Sequence, residues 1–425
     1  MSDTPAPTSA PSNGQAISLP DGWKFTDADS RYGDDYRGGE GQENPEDAPL
    51  GILSVLEGKT FKGTGLNMLF RPNSGPPPGT KFPRHVTPAP PATPNNNVLE
   101  INLFEETLCF SKGVGRVPNR GFQGQGDINL NAIMYLQTVN DVTNHHTGKP
   151  DGRPIPIHIE NGMFMHVPGT NVNPQVGTTI GRCGTIPHGV AINLQGRAPS
   201  LPTTLIQGPP TIPSIATTPF ETAAPNMTRN FPSLHIKDED TARIPQNLHK
   251  FVEQGTITQE MLVDPTVILR KANETRKIVN TAIIAMSSTN GTKTTDIKTG
   301  GGVVGSAFLD GDVDATGTAK PNARPFSVDF TLWIEAVEYE VPVPAFDPAR
   351  DGGHVKVTHE GIKFVLHPPR KVAEPTTITV TVVELQYTQV VMLQFGVLTW
   401  PHPTCSTLKP EEVSIRQDDD AWKGE

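Results

Sequence analysis

The sequence predicts a mainly β protein: an antiparallel barrel, enlarged or duplicated, with a small helical insert. Three observations predict it. The 425 residues include 40 Gly and 43 Pro, well above the usual ~12%, and both interrupt helices. Between these breakers, β-branched and apolar residues recur in runs with period-two alternation. Helical signals are confined to one island before residue 278.

Residues 1–50 read as an N-terminal arm. The segments TPAPTSAPSNGQ and RYGDDYRGGEGQENPEDAP bury too little apolar area to offset their ordering entropy, unless the arm wraps a partner. Leu50–Leu56 has spacing for one helical turn or a short strand. A first β series spans 51–198: Thr60–Phe70, Val98–Phe110, Ala132–Val142, Ile155–Val167 and Thr178–Ala198, separated by Pro/Gly-rich loops. Residues 199–277 form a Pro-rich crossing followed by helices, where Asp264-Pro265 gives an N-cap with Pro in the first turn. A second β unit at 278–409 contains Ile278–Ser288, Gly302–Leu309, Phe326–Val341, Val355–Leu366 and Thr376–Thr399. It either completes the first barrel or duplicates it. Residues 410–425 are a C-terminal tail.

Composition narrows the function classes. The net charge of -10 argues against general nucleic-acid binding and against attachment to anionic lipid. Three Cys, at 109, 183 and 405, form no paired spacing and no disulfide framework. No apolar stretch is long enough to span a membrane as a helix, and no secretory leader is visible. A cytoplasmic location is the expectation. There is no G-x-S-x-G, H-E-x-x-H or P-loop, and TGGGVVG at 299–305 reads as a loop entering a strand.

The first half carries an ordered set of motifs: GKTFKGTG (58–65), VLEINLFEETLCF (98–110), AIMYLQTVND (132–141), PIHIENGMFM (156–165) and TIPHGVAINLQG (185–196). In that order they resemble the nitrobindin-type branch of the calycin β-barrels, relatives in architecture of lipocalins and fatty-acid-binding proteins. The segment PNARPFSVDFTLWIEAVE (321–338) is similar to large proteins described as heme-binding or peroxidase-like. The resemblance implies a barrel around a planar or apolar ligand. It names heme as the cofactor, with peroxidase-like or nitrogen-oxide chemistry as the oxidoreductase activity. The family holds heme iron through a His on a C-terminal strand, and the segment expected to form that strand here, 384–400, contains no His.

Candidate residues follow from strand alternation. His158 and Glu160 share a strand face, as a catalytic or metal-orienting pair or as a hydrogen-bonded pair closing the barrel end. His166, a further cofactor-binding candidate, falls on the same face, too far along for one metal to meet it and His158 without another strand. His188, between Pro187 and Gly189, sits at a kink that re-aims a side chain and is the preferred metal ligand. Met163, Met165 and Tyr135 are candidates for the cofactor-pocket lining. Trp333 and Glu335 share one face of a strand with large apolar residues on its other face, which predicts burial on both sides. Two further readings stay open: a metal-free binder of, or cofactor-free enzyme on, a lipid- or terpenoid-like molecule, and a scaffold that forms a homo-oligomer through its Pro-rich arm.

Overall fold

In the computed structural model, the described residues are 49–72, 97–122, 124, 126–169, 177–186, 189–199, 204–237, 243–289, 301–305, 324–395 and 398–422. Residues 1–48 of the arm expected at 1–50, and His188, lie outside them.

Ten strands close into one antiparallel barrel. In chain order its first six are β1 (Thr60–Pro72), β2 (Asn97–Gly113), β3 (Ile128–Asp141), β4 (Ile155–Val167), β5 (Thr179–Ile186) and β6 (Val190–Arg197). Then come β7 (Ile278–Ser287) and β8 (Arg324–Val343), the outer strands β9 (Val355–His359) and β10 (Ile362–Leu366), and β11 (Thr376–Phe395), β12 (Leu398–Pro410) and β13 (Glu412–Ile415). The barrel runs β1 to β8, then β11 and β12, and β12 pairs back onto β1. The second strand series therefore completes the first barrel.

The closing seam explains the GKTFKGTG motif. A Cβ on Gly63 would lie 1.9 Å from the Thr407 carbonyl oxygen, and one on Gly65 2.2 Å from that of Cys405. Only glycine lets β1 approach β12 so closely.

A 3₁₀ helix at Gly51–Leu56 puts Leu53 and Leu56 into the interior core beside Phe61, Phe110, Ile133 and Phe164. Two further layers cover parts of the outer wall. Short helices α1 (His249–Gln254), α2 (Gln259–Val263) and α3 (Val267–Asn273) bring Phe251, Leu262 and Val267 against Leu66, Met68, Leu99 and Ile101 of β1 and β2. Asp264 organises the start of α3, accepting from the Thr266 amide and hydroxyl and pairing with Arg270 at 2.8 Å. The three-stranded sheet β9–β10–β13 packs Phe364 and Leu366 on the long ends of β8 and β11. Trp333 is buried by this layering, against Leu269 of α3 and Ile212 of the Pro-rich crossing, as its strand pattern predicts. No helix among the described residues is long and apolar enough to cross a membrane.

Candidate functional site

Strand register lines the barrel interior with alternate residues. On β3 these are Ile133, Tyr135, Gln137 and Val139; on β4, opposite them, Phe164, Gly162, Glu160 and His158. On β5 the inward set includes Arg182 and Gly184. The result is a polar network enclosed by aromatic rings. Arg182 Nη2 donates to Glu160 Oε1 at 2.7 Å, its Nε donates to the Tyr135 hydroxyl at 3.1 Å, and Tyr135 donates to Glu160 Oε1. The guanidinium lies 4.3 Å from the Phe330 ring centroid and within 5.6 Å of that of Phe164.

The network crosses the barrel. Arg182 Nη1 donates to Gln389 Oε1 of β11 at 2.8 Å. Gln137 Nε2 donates to Glu106 Oε1 at 2.6 Å and to the Tyr387 hydroxyl at 3.0 Å, and Tyr387 donates to Glu106 Oε2 at 2.8 Å. Side chains of β2, β3, β5 and β11 thus meet around the axis. Glycines make the room: a Cβ on Gly184 would come within 2.5 Å of the Tyr135 hydroxyl and 2.8 Å of Glu160.

Charge states follow from these contacts. Burial opposes ionisation of Glu160, but Arg182, His158 and Tyr135 outweigh it and hold the carboxyl down at about 2. Burial pushes the Tyr135 and Tyr387 hydroxyls well above their ordinary range, with the neighbouring carboxylates adding to the rise. Burial likewise raises Glu106, against the pull of hydrogen bonds from Ser406, Tyr387 and Gln137. One acceptor is weakly served: Glu160 Oε2 is buried and accepts no well-aligned hydrogen bond among the described residues, and its neighbour is His158 Nε2 in an ion-pair contact at 3.4 Å.

The structure brings some candidates together and separates others. His158, Glu160 and Tyr135 belong to one cluster. His166 stands off from it, its ring against Gly51 of the 3₁₀ helix. Met163 and Met165 alternate with inward Phe164 and so lie on the opposite face of β4, where Met163 pairs with exposed Met134; strand alternation removes them from the interior. His188 is outside the described residues. The barrel's last strand is β12, which carries His402 beyond the 384–400 segment. Burial lowers His402 to about 3, and its Nε2 accepts the Phe70 amide at 3.0 Å.

Sequence reasoning missed Arg182, Glu106, Gln137 and Tyr387 as site residues. The signal for Arg182 was a single charge in the Ile180–Arg182–Gly184–Ile186 face of an otherwise apolar alternation.

No family model, curated protein or solved structure matches the chain. The described residues contain no group of three or more His, Cys, Asp and Glu able to hold a metal ion. Heme, the group the sequence resemblance implies, fits this interior poorly. The space between His158 and His166 is taken by Tyr135, Phe164 and Arg182, with Arg182 bonded across to β11, and the ring nitrogen of His402 is already a hydrogen-bond acceptor.

Proposed function

We propose that the protein binds a small apolar or planar molecule without a metal, lodging its polar end on the interior network at Glu160. The observation that carries this reading is the buried Glu160 Oε2, which accepts no well-aligned hydrogen bond among the described residues and has His158 Nε2 as an ion-pair neighbour at 3.4 Å. An ionised carboxylate fully buried among aromatic rings is costly unless each oxygen finds a donor. A ligand with a hydroxyl or amine supplies that donor, and its apolar body would part Phe61, Phe110, Phe164 and Phe330, which pack on one another around the network. Arg182 and Tyr135 keep the carboxylate charged and oriented, and His158 stands beside the same oxygen.

A lipid- or terpenoid-like alcohol is the ligand class this chemistry favours. Heme, with peroxidase-like or nitrogen-oxide chemistry, is the competing reading. It rests on the motif resemblance.

The deciding experiment is organic extraction and mass spectrometry of what co-purifies, alongside absorption spectra with and without added hemin. A colourless hydroxylated apolar molecule, lost in the Glu160→Gln variant while the fold persists, is expected. A heme band that moves with reductant would replace this reading with the heme one.

A further inference from the structure

A second buried charged cluster lies outside the barrel wall, unused by the ligand site. Glu335 of β8 and Glu384 of β11 are direct cross-strand partners, and both are fully buried. Such partners hold their Cβ atoms ~4.5–5.5 Å apart. One cation serves both. Arg276, in the turn from α3 to β7, places Nη2 2.5 Å from Glu335 Oε2 and 2.7 Å from Glu384 Oε2, and its Nε donates to Glu384 at 2.9 Å. Tyr339 donates its hydroxyl to Glu384.

No second cation among the described residues forms an ion pair with Glu335 or Glu384. Thr281 of β7, opposite Glu335, spends its hydroxyl on the Gly208 carbonyl. From the α3 side, Leu269 offers only a carbonyl, taken by Gln386 Nε2. Lys277 pairs with Glu338 instead. On the β9–β10 side, His359 lies against the Tyr339 ring, Lys409 sits over that ring, and Glu360 is the partner of Lys409. Two carboxylates around one guanidinium leave one buried negative charge uncompensated. Acceptors also lack donors in this patch: Gln386 Oε1, diagonal to Glu335 on β11, and Glu335 Oε1 are buried and accept no hydrogen bond among the described residues, while Glu335 Oε2 has the ion-pair contact to Arg276.

We propose that Glu335 and Glu384 share a single proton, carried on Glu335, and that this proton latches the Arg276 turn and helix α3 onto the barrel wall. The proton cancels the surplus charge and gives the patch an O–H donor within reach of Gln386. Glu384, bound by both Arg276 and Tyr339, is the better paired of the two, which leaves Glu335 to carry the proton. Burial, reinforced by Glu384 and opposed by Arg276, holds the Glu335 carboxyl up at about 7, so the latch titrates near neutrality. Arg276 also lines an outer groove of about 950 Å³ with Leu66, Ile268, Tyr339 and Lys409, whose wall would loosen as the proton leaves.

The test combines infrared difference spectroscopy of carboxyl groups with amide hydrogen exchange, between about pH 6 and about pH 8.5. In the full-length protein a protonated-carboxyl band should disappear across that window. Exchange protection of 267–276, corrected for intrinsic rates, should fall severalfold over the same range. Glu335→Gln should lack the band and keep its protection at high pH. Absence of a titrating band in the wild type, its survival in Glu335→Gln, or pH-independent protection of 267–276 would each overturn the proposal. If the variant does not fold, a carbon-13 titration of the glutamate carboxyls in the wild type decides the matter alone: one buried glutamate titrating near neutrality supports the latch, and none overturns it.

Discussion

Two arginine–glutamate clusters, one inside the barrel and one outside it, are built from the same groups and reach opposite protonation states. Inside, Arg182 faces one carboxylate, Glu160, which is held at about 2. Outside, Arg276 faces two, and Glu335 is held at about 7. All three carboxylates are fully buried, so burial alone does not separate them. The local count of charges does. One guanidinium matched to one carboxylate, with His158 and the Tyr135 hydroxyl beside it, overcomes desolvation, and one guanidinium divided between two carboxylates does not. The inner cluster is consequently a fixed charge, suited to orienting a ligand, and the outer one is a proton site.

The largest effect should come from breaking the inner pair. Arg182→Met leaves Glu160 ionised and buried without its counter-charge, which typically costs about 3–5 kcal/mol. Chemical denaturation should show that loss, and Arg182→Met combined with Glu160→Gln should recover much of it, since the double variant removes the orphaned charge. A single variant as destabilised as the pair would mean that the guanidinium acts through its packing on Phe330 and Phe164 rather than through charge.

The outer cluster should respond to pH instead. The folded-state value of Glu335 lies above its unfolded value of about 4.5. Its contribution to stability is therefore fully present below pH 4.5 and is lost as the pH rises through 7. A shift of this size corresponds to at most roughly 3 kcal/mol. Glu335→Gln should flatten that part of the pH–stability curve and be relatively more stable than the wild type at about pH 8. An unchanged slope between pH 5 and 8 would remove the contrast between the two clusters.

Most of the barrel was legible in the sequence because alternation survives on strands buried on one side. β1 to β4, β7 and β8 fall where the apolar runs place them. The closing strand β12 was not: the last apolar run was expected as one strand ending at Thr399, and the prolines of WPHPT follow it. The register explains the exception: Pro401 and Pro403 pair with β11 only, while β1 joins from Thr404 onward, so those prolines face no missing donor on a second side. Within the site, His158 and Glu160 were readable as a same-face pair. Arg182, Gln137 and Tyr387 were not, since their meeting depends on barrel closure joining residues as far apart as Gln137 and Tyr387. Gly184 carries the same lesson at smaller scale: on sequence it is one more breaker, and in the fold it is the space for the Tyr135 hydroxyl. Gly184→Ala should cost about 1–3 kcal/mol by overpacking and weaken ligand retention. A neutral effect on both would show that Tyr135 can shift without disturbing Glu160.

The smallest effect sharpens the comparison from the other side. Lys277, next in sequence to Arg276, makes an ion pair with Glu338 at 2.5 Å, as short as the Arg276–Glu335 contact. Its side chain is 67% exposed, whereas that of Arg276 is 8% exposed. In water the two lysine partners are already well solvated when apart, and salt screens what attraction remains. Lys277→Ala should leave the melting temperature within experimental scatter at moderate salt, whereas Arg276→Ala, which strips two buried carboxylates of their one cation, should lower it clearly. Equal effects would mean that distance outweighs burial here, and the charge-counting account of both clusters would then fail together.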